Sequence, residues 1–191
     1  AEYFHNAPID HAKIGEIHKA LKAKLCNISI IGMPSSGKTT IGKALAEKLG
    51  KTFVDLDEEI VRRAGKSIPD IFAQEGEAAF RRLETEAAAE AAKHTGQVIS
   101  CGGGIVKTPG NARLLRQNGP VLWIRRPLEA LTVGGGRPLS SSREALEKME
   151  AERLPLYRAA ADGIVENSGS LEQAITAAEE VFYEILDSER A

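Results

Sequence analysis

Gly32-Met33-Pro34-Ser35-Ser36-Gly37-Lys38-Thr39 connects the apolar run Asn27-Ile28-Ser29-Ile30-Ile31 to a helical pattern that starts near Lys38. Glycines at this spacing, then lysine and a hydroxyl, set between a strand and a helix, form a P-loop. Backbone N–H groups of such a loop, together with the helix N-terminus, make a pocket for phosphate oxygens. Lys38 can reach the β- and γ-phosphates as a point charge, and the Thr39 hydroxyl can sit on Mg²⁺. Gly32 through Thr40 is therefore the candidate nucleotide-binding stretch. The chemistry to expect is movement of a phosphoryl group.

Further along the chain are residues suited to receiving that group. Asp55 and Asp57 stand where a second short strand, Thr52 to Leu56, should end. If extended geometry continues through Asp57, alternation puts both carboxylates on one side. One carboxylate can hold Mg²⁺ and the other can accept a hydrogen bond from a substrate hydroxyl. Arg81 and Glu84 are three apart on a helical stretch and share a face. An arginine fork suits a substrate carboxylate, and a glutamate beside it can set its position; an ordinary solvated helix face has the same composition. Gly102-Gly103-Gly104 follows the apolar strand Gln97 to Ser100. Three glycines in succession suggest backbone passing close to a ligand, or a required positive φ. Arg137, in the Gly/Ser/Pro-rich segment 133–142, and Arg153, on the helix after it, are candidates to neutralise charge moving between donor and acceptor.

The elements that must position these groups alternate between strand and helix. Strands are expected at 27–31, 52–56, 97–100, 121–124 and near 164–165, with helices between them and a closing helix over 170–187. Gly50 should cap the P-loop helix and Gly65 should end the helix that starts at Asp57. Ser67 should cap a short helix to about Gln74, and a long helix should run from Gly76 to His94. This alternation predicts a three-layer α/β sandwich, a parallel sheet with helices on both faces and a mobile lid at 133–142. Before the first strand, Ile9, Ile14, Ile17, Leu21 and Leu25 fall near one face of a helix over 9–25, expected to pack on the domain. The division is thus an N-terminal helical extension, 1–26, and a nucleotide-binding domain, 27–191.

Bulk properties restrict the partners. The 191 residues carry a formal net charge of -2, with a pI near 6.2 and no block of basic residues. Neither nucleic acid nor a membrane is the expected partner. No apolar run approaches the roughly 18 residues of a membrane span, and no secretory segment opens the sequence. Cys26 and Cys101 match no metal or redox spacing, so reduced thiols and a cytoplasmic location are expected, with Cys101 a buried structural thiol.

Taken in order, these motifs closely resemble the shikimate kinase family, from about Asn27 to near Leu186. The P-loop is followed by Asp55-Leu56-Asp57, Gly76-Glu77-Ala78-Ala79-Phe80-Arg81-Arg82-Leu83-Glu84, Gly102-Gly103-Gly104, Arg137-Pro138-Leu139 and Arg153-Leu154-Pro155-Leu156-Tyr157. The resemblance implies a P-loop fold like that of nucleoside monophosphate kinases, and ATP-dependent phosphorylation of the shikimate 3-hydroxyl on the route to chorismate. It also implies that Asp57 holds the acceptor hydroxyls and acts as base or orienter. Arg81 and Arg153 would bind the shikimate carboxylate, Glu84 would position Arg81, and the triple glycine would line the same pocket. Lys38 and Arg137 would stabilise the transferring phosphoryl group, with Thr39 and Asp55 on Mg²⁺. A monomer is expected.

The chain departs from the family in two places. Ser35 stands where family P-loops usually carry glycine. Members also commonly have an arginine shortly before the lid that stacks on adenine; here the matching stretch is Leu131-Thr132-Val133-Gly134. Arg125 and Arg126 lie earlier, at a strand end, and are not expected to replace it, so weak discrimination between ATP and GTP is expected. Two alternatives share the P-loop: a kinase resembling gluconate kinase, which would not need Arg81 and Arg153 to converge, and a nucleotide-binding protein without turnover.

Overall fold

The computed structural model describes residues 10–131 and 142–188. Five parallel strands form one sheet in the order β2-β3-β1-β4-β5. They are β1 (Ile28–Ile31), β2 (Thr52–Asp55), β3 (Gln97–Ser100), β4 (Val121–Arg125) and β5 (Gly163–Glu166). Every residue of β1 is buried, as the central strand of a sheet covered on both faces requires. The helices are α1 (His11–Leu25), α2 (Lys38–Leu49), α3 (Leu56–Ala64), α4 (Ile68–Ala91), α5 (Asn111–Leu115), α6 (Arg143–Ala160) and α7 (Leu171–Ser188). One core packs Ile31, Ile99 and Trp123 under α3, α4 and α6; the other packs Ile28, Ile30 and Leu122 under α2 and α7.

Helix boundaries follow the local chemistry. Gly50 and Gly65 close α2 and α3 at φ of 61° and 63°, conformations that a Cβ disfavours. Ser67 and Ser142 cap α4 and α6 through their hydroxyls. The two helices expected on either side of Gly76 are both present within α4: Gly76, at φ 80° and ψ 172°, breaks the helical geometry between them, and the second ends at Ala91 rather than His94. Between β3 and β4 the helical structure is brief, α5 followed by a 3-10 turn over Arg116–Asn118. After Pro127 the chain makes a 3-10 turn, Leu128–Ala130.

The N-terminal helix is anchored differently from the expected packing. The Lys51 ammonium donates to the carbonyls of Ala23, Lys24 and Cys26 and so neutralises the C-terminal end of α1. Lys19 pairs with Asp187 on α7, and Ala23 packs against the second core. Ile14, Ile17, Leu21 and Leu25 are each slightly more than half exposed. The apolar stripe seen in the sequence is therefore real, but it faces away from the domain.

Candidate active site

The carboxyl ends of β1, β2 and β3 and the connections that follow them surround a cavity of about 640 Å³, where an open parallel sheet places its ligands. The P-loop forms one wall. Gly32 is held at φ 149°, and a Cβ there would fall on the carbonyl oxygen of Ile124. Gly37 is at φ 98°, and its Cβ would lie 2.7 Å from Asn167 Nδ2. That amide also donates to the Ser36 carbonyl, tying the loop to the end of β5. Ser35 is itself left-handed, at φ 63°. This explains why the corresponding family position is usually glycine: the loop needs a conformation that L-residues enter at a cost of roughly 1–2 kcal/mol. The Lys38 ammonium donates to the carbonyls of Gly32 and Met33 at 3.0 and 2.7 Å, which keeps it within the loop's own curl.

Asp55 and Asp57 both line the cavity, but not by strand alternation. Extended backbone stops at Asp55, which caps α3 by accepting from the Asp57 and Glu58 N–H groups through Oδ1. Asp57 sits in the first helical turn. The other Asp55 oxygen accepts from the Thr39 hydroxyl at 2.9 Å, and Ser100 Oγ lies 3.4 Å from the same hydroxyl. Thr39 and Asp55 thus form a paired hydroxyl and carboxylate beside the phosphate pocket. Mg²⁺ favours such a donor set, one or two carboxylates plus substrate phosphates and water. Among the described residues no cluster of three or more His, Cys, Asp or Glu could hold a metal unaided.

Across the cavity, Arg81 is no solvated helix residue. It donates to Glu84 at 2.7 Å through Nη1 and to Glu77 at 3.0 Å through Nη2. Glu84 is fully buried, and burial pushes its carboxyl up to about 6 although Arg81 pulls it down. Its Oε1 has no hydrogen-bond partner. Arg153 is buried, donates from Nη1 to the Gly103 carbonyl at 2.9 Å, and has an unpartnered Nε.

The triple glycine lies among these groups. A Cβ on Gly102 would lie 2.6 Å from Asp57 Oδ1 and 3.1 Å from Glu84 Oε1. On Gly103 it would press on the Pro34 ring at 3.0 Å, and on Gly104 it would meet the Arg81 guanidinium. None of the three has a positive φ, so that reason for glycine falls; what the structure shows is close approach of the backbone to the Asp57, Pro34 and Arg81 side chains. Phe72 and Phe80, with ring centroids 4.8 Å apart, give the cavity an apolar side. Cys101 is buried behind the glycines, and burial pushes its thiol well above the ordinary range. That fits a structural thiol.

The structure therefore brings together Lys38, Thr39, Asp55, Asp57, Arg81, Glu84, Gly102, Gly103, Gly104 and Arg153. Arg137 and most of the expected lid lie outside the described residues. Ser100 and Asn167 are not among the residues that the sequence points to, and Arg126 is weighed there only against the adenine-stacking arginine. Ser100 stands at the carboxyl end of β3, a position that could have marked it.

A P-loop, a paired threonine and aspartate, and an acceptor pocket walled by arginine and glycine define a P-loop kinase of small molecules. The shikimate kinase family model matches residues 34–188. A shikimate kinase from Nitrosomonas europaea is 42% identical over 148 residues, 74% of this chain and 70% of that protein. One from Stenotrophomonas maltophilia (strain K279a) is 45% identical over 143 residues, 71% of this chain and 79% of its own length. The solved shikimate kinase from Acinetobacter baumannii, in complex with shikimate, superposes with a TM-score of 0.80 at 33% identity, covering 91% of this chain and 99% of that one. The chain belongs to the shikimate kinase family.

Proposed function

We infer that this protein transfers the γ-phosphoryl group of ATP to the 3-hydroxyl of shikimate, giving ADP and shikimate 3-phosphate, a step towards chorismate and the aromatic amino acids. The observation that carries this reading is the convergence of the P-loop, Asp57 and the Arg81–Glu84–Arg153 cluster on one cavity. A gluconate-type acceptor offers no reason for two arginines to meet a wall of glycines there.

In this reading the P-loop amides and Lys38 hold the β- and γ-phosphates, with Lys38 exchanging its loop carbonyls for phosphate oxygens. Arg81 and Arg153 receive the shikimate carboxylate by charge-assisted hydrogen bonds, and the fixed Glu84 sets the Arg81 fork. Shikimate then lies against the glycine backbone with its hydroxyls toward Asp57. The 3-oxygen attacks γ-phosphorus as the bond to the ADP oxygen breaks, and Asp57 orients the hydroxyl and accepts its proton. Thr39 and Asp55 would hold Mg²⁺, which when bound neutralises charge on the phosphates. Arg137 is assigned to the transferring phosphoryl group.

Action as a monomer is part of this proposal. No described helix is long and apolar enough to cross a membrane; a cytoplasmic location is proposed from the ATP chemistry and the two free thiols.

The test is ADP release with shikimate, with gluconate and with no acceptor, together with calorimetric titration of shikimate into Arg81→Ala and Arg153→Ala. Turnover should require shikimate, and each variant should weaken its binding at least tenfold. Equal turnover with gluconate, or unchanged shikimate affinity in both variants, would overturn the substrate assignment. Nucleotide binding without turnover on any acceptor would favour a non-catalytic protein.

A further inference from the structure

Arg125 ends β4 and Arg126 follows it, and the two are placed differently. Arg125 pairs with Glu166 on the adjacent strand at 3.0 Å. Arg126 instead lines the active-site cavity together with Pro34, Ser35, Gly37 and Lys38. The sheet accounts for this position. β4 runs parallel to β1 with Trp123 opposite Ile31, so the chain leaving β4 emerges beside the chain entering the P-loop. Contact is close there, since only a glycine at 32 clears the carbonyl of Ile124.

The surroundings of Arg126 set it apart from the other cavity cations. Arg81 is matched by Glu77 and Glu84. Lys38 is held by the Gly32 and Met33 carbonyls, and Arg153 by that of Gly103. Arg126 Nε is buried and has no hydrogen-bond partner, and no carboxylate among the described residues pairs with the side chain. A guanidinium partly withdrawn from water without a counter-charge is unfavourable unless an anion completes it. The anion that the neighbouring P-loop holds is a polyphosphate. Guanidinium also matches phosphate oxygens with two parallel donors, which an ammonium cannot do.

We propose that Arg126 is a nucleotide-binding residue of this enzyme, placing its guanidinium on the polyphosphate seated in the P-loop. The proposal rests on the kinase reading above but concerns the donor side of the site alone. It assigns part of the cationic charge on the phosphates to the fixed end of β4, outside the lid. It concerns the phosphates and leaves standing the expectation that neither Arg125 nor Arg126 replaces an adenine-stacking arginine.

The test is direct titration of ADP, AMP and adenosine into the wild type, Arg126→Gln and Arg126→Lys, without shikimate, with thermal melts to verify folding. Loss of a charge-assisted contact should weaken ADP binding by Arg126→Gln about tenfold to a hundredfold. Adenosine should be affected less than threefold, and Arg126→Lys should fall between wild type and Arg126→Gln. In steady state the KM for ATP should rise while that for shikimate stays within about twofold. ADP affinity within twofold of wild type in a folded Arg126→Gln would overturn the proposal. So would a loss of shikimate affinity alone, which would move Arg126 to the acceptor side. Failure of the wild type to bind ADP would overturn the kinase reading as well. Sound ADP binding without shikimate turnover would overturn that reading and leave this one standing.

Discussion

The backbone of Gly104 lies so close to the Arg81 guanidinium that a Cβ built on it would stand 2.6 Å from Nη2 and nearer still to Nη1. The glycine therefore fixes where the arginine can be. Gly104→Ala should force Arg81 off its two carboxylates. Shikimate KM should rise about tenfold or more, the scale of one lost hydrogen bond to a charged group, while ADP affinity stays within about twofold. Steady-state kinetics and ADP titration read the two effects separately. An unchanged shikimate KM would mean that Arg81 does not bind the acceptor.

Asp57 tests the chemical step. Its carboxylate faces the glycine wall, 2.6 Å from the ideal Cβ position of Gly102, in the cavity that the P-loop also lines. Asp57→Asn keeps the shape and removes the proton acceptor. The expected loss in kcat is ~10²–10⁴, with ADP binding retained. Activity within twofold of wild type would remove Asp57 from the mechanism.

Glu84 makes two pH effects of opposite sign. Burial raises its folded value to about 6 from an ordinary 4.5. Between those values the native state binds more protons than the unfolded chain, so this group's contribution to stability falls as pH rises through the window. The ionised form is the one that holds Arg81. Shikimate KM should therefore rise as pH falls below about 6. Glu84→Gln should flatten both trends and leave KM high throughout. Melts and KM measured from pH 5 to 8 check this; a KM profile unaltered by the substitution would show that Glu84 does not control Arg81.

The fold was legible because its signals are local and periodic. Apolar runs marked five strands, and Gly50, Gly65 and Ser67 marked helix ends through backbone requirements of their own. The P-loop was legible for the same reason. Less legible was anything set by packing between distant segments. Asp55 rather than Asp57 caps α3, because extended backbone stops at Asp55, two residues earlier than alternation through Asp57 assumes. The stripe on α1 gave a face but no direction, and contacts from Lys51 and Asp187 turn it outward. Arg125 and Arg126 are adjacent and chemically identical, yet only the register of β4 against its two neighbours sends one to Glu166 and the other to the cavity. The triple glycine suggested close approach to a ligand, but not the side chains of Pro34, Asp57, Arg81 and Glu84, which come from distant parts of the chain.

Tyr157 supports the acceptor pocket from behind. It is fully buried, stacks on Trp123 at 5.8 Å and donates its hydroxyl to the Gly103 carbonyl, the oxygen that also accepts from Arg153. Burial pushes the phenol up to about 12, so it remains a donor at any working pH. Tyr157→Phe keeps the stacking and removes the donor. Stability should fall by about 1 kcal/mol, a drop in Tm of roughly 2–4 °C for a domain of this size. If the hydroxyl also fixes the glycine wall and Arg153, shikimate KM should rise severalfold with the ATP KM unchanged. Tyr157→Leu, which loses the stacking too, should be less stable still. A lower Tm with an unaltered shikimate KM would confine Tyr157 to holding the core, and Arg153 alone would then fix the Gly103 carbonyl.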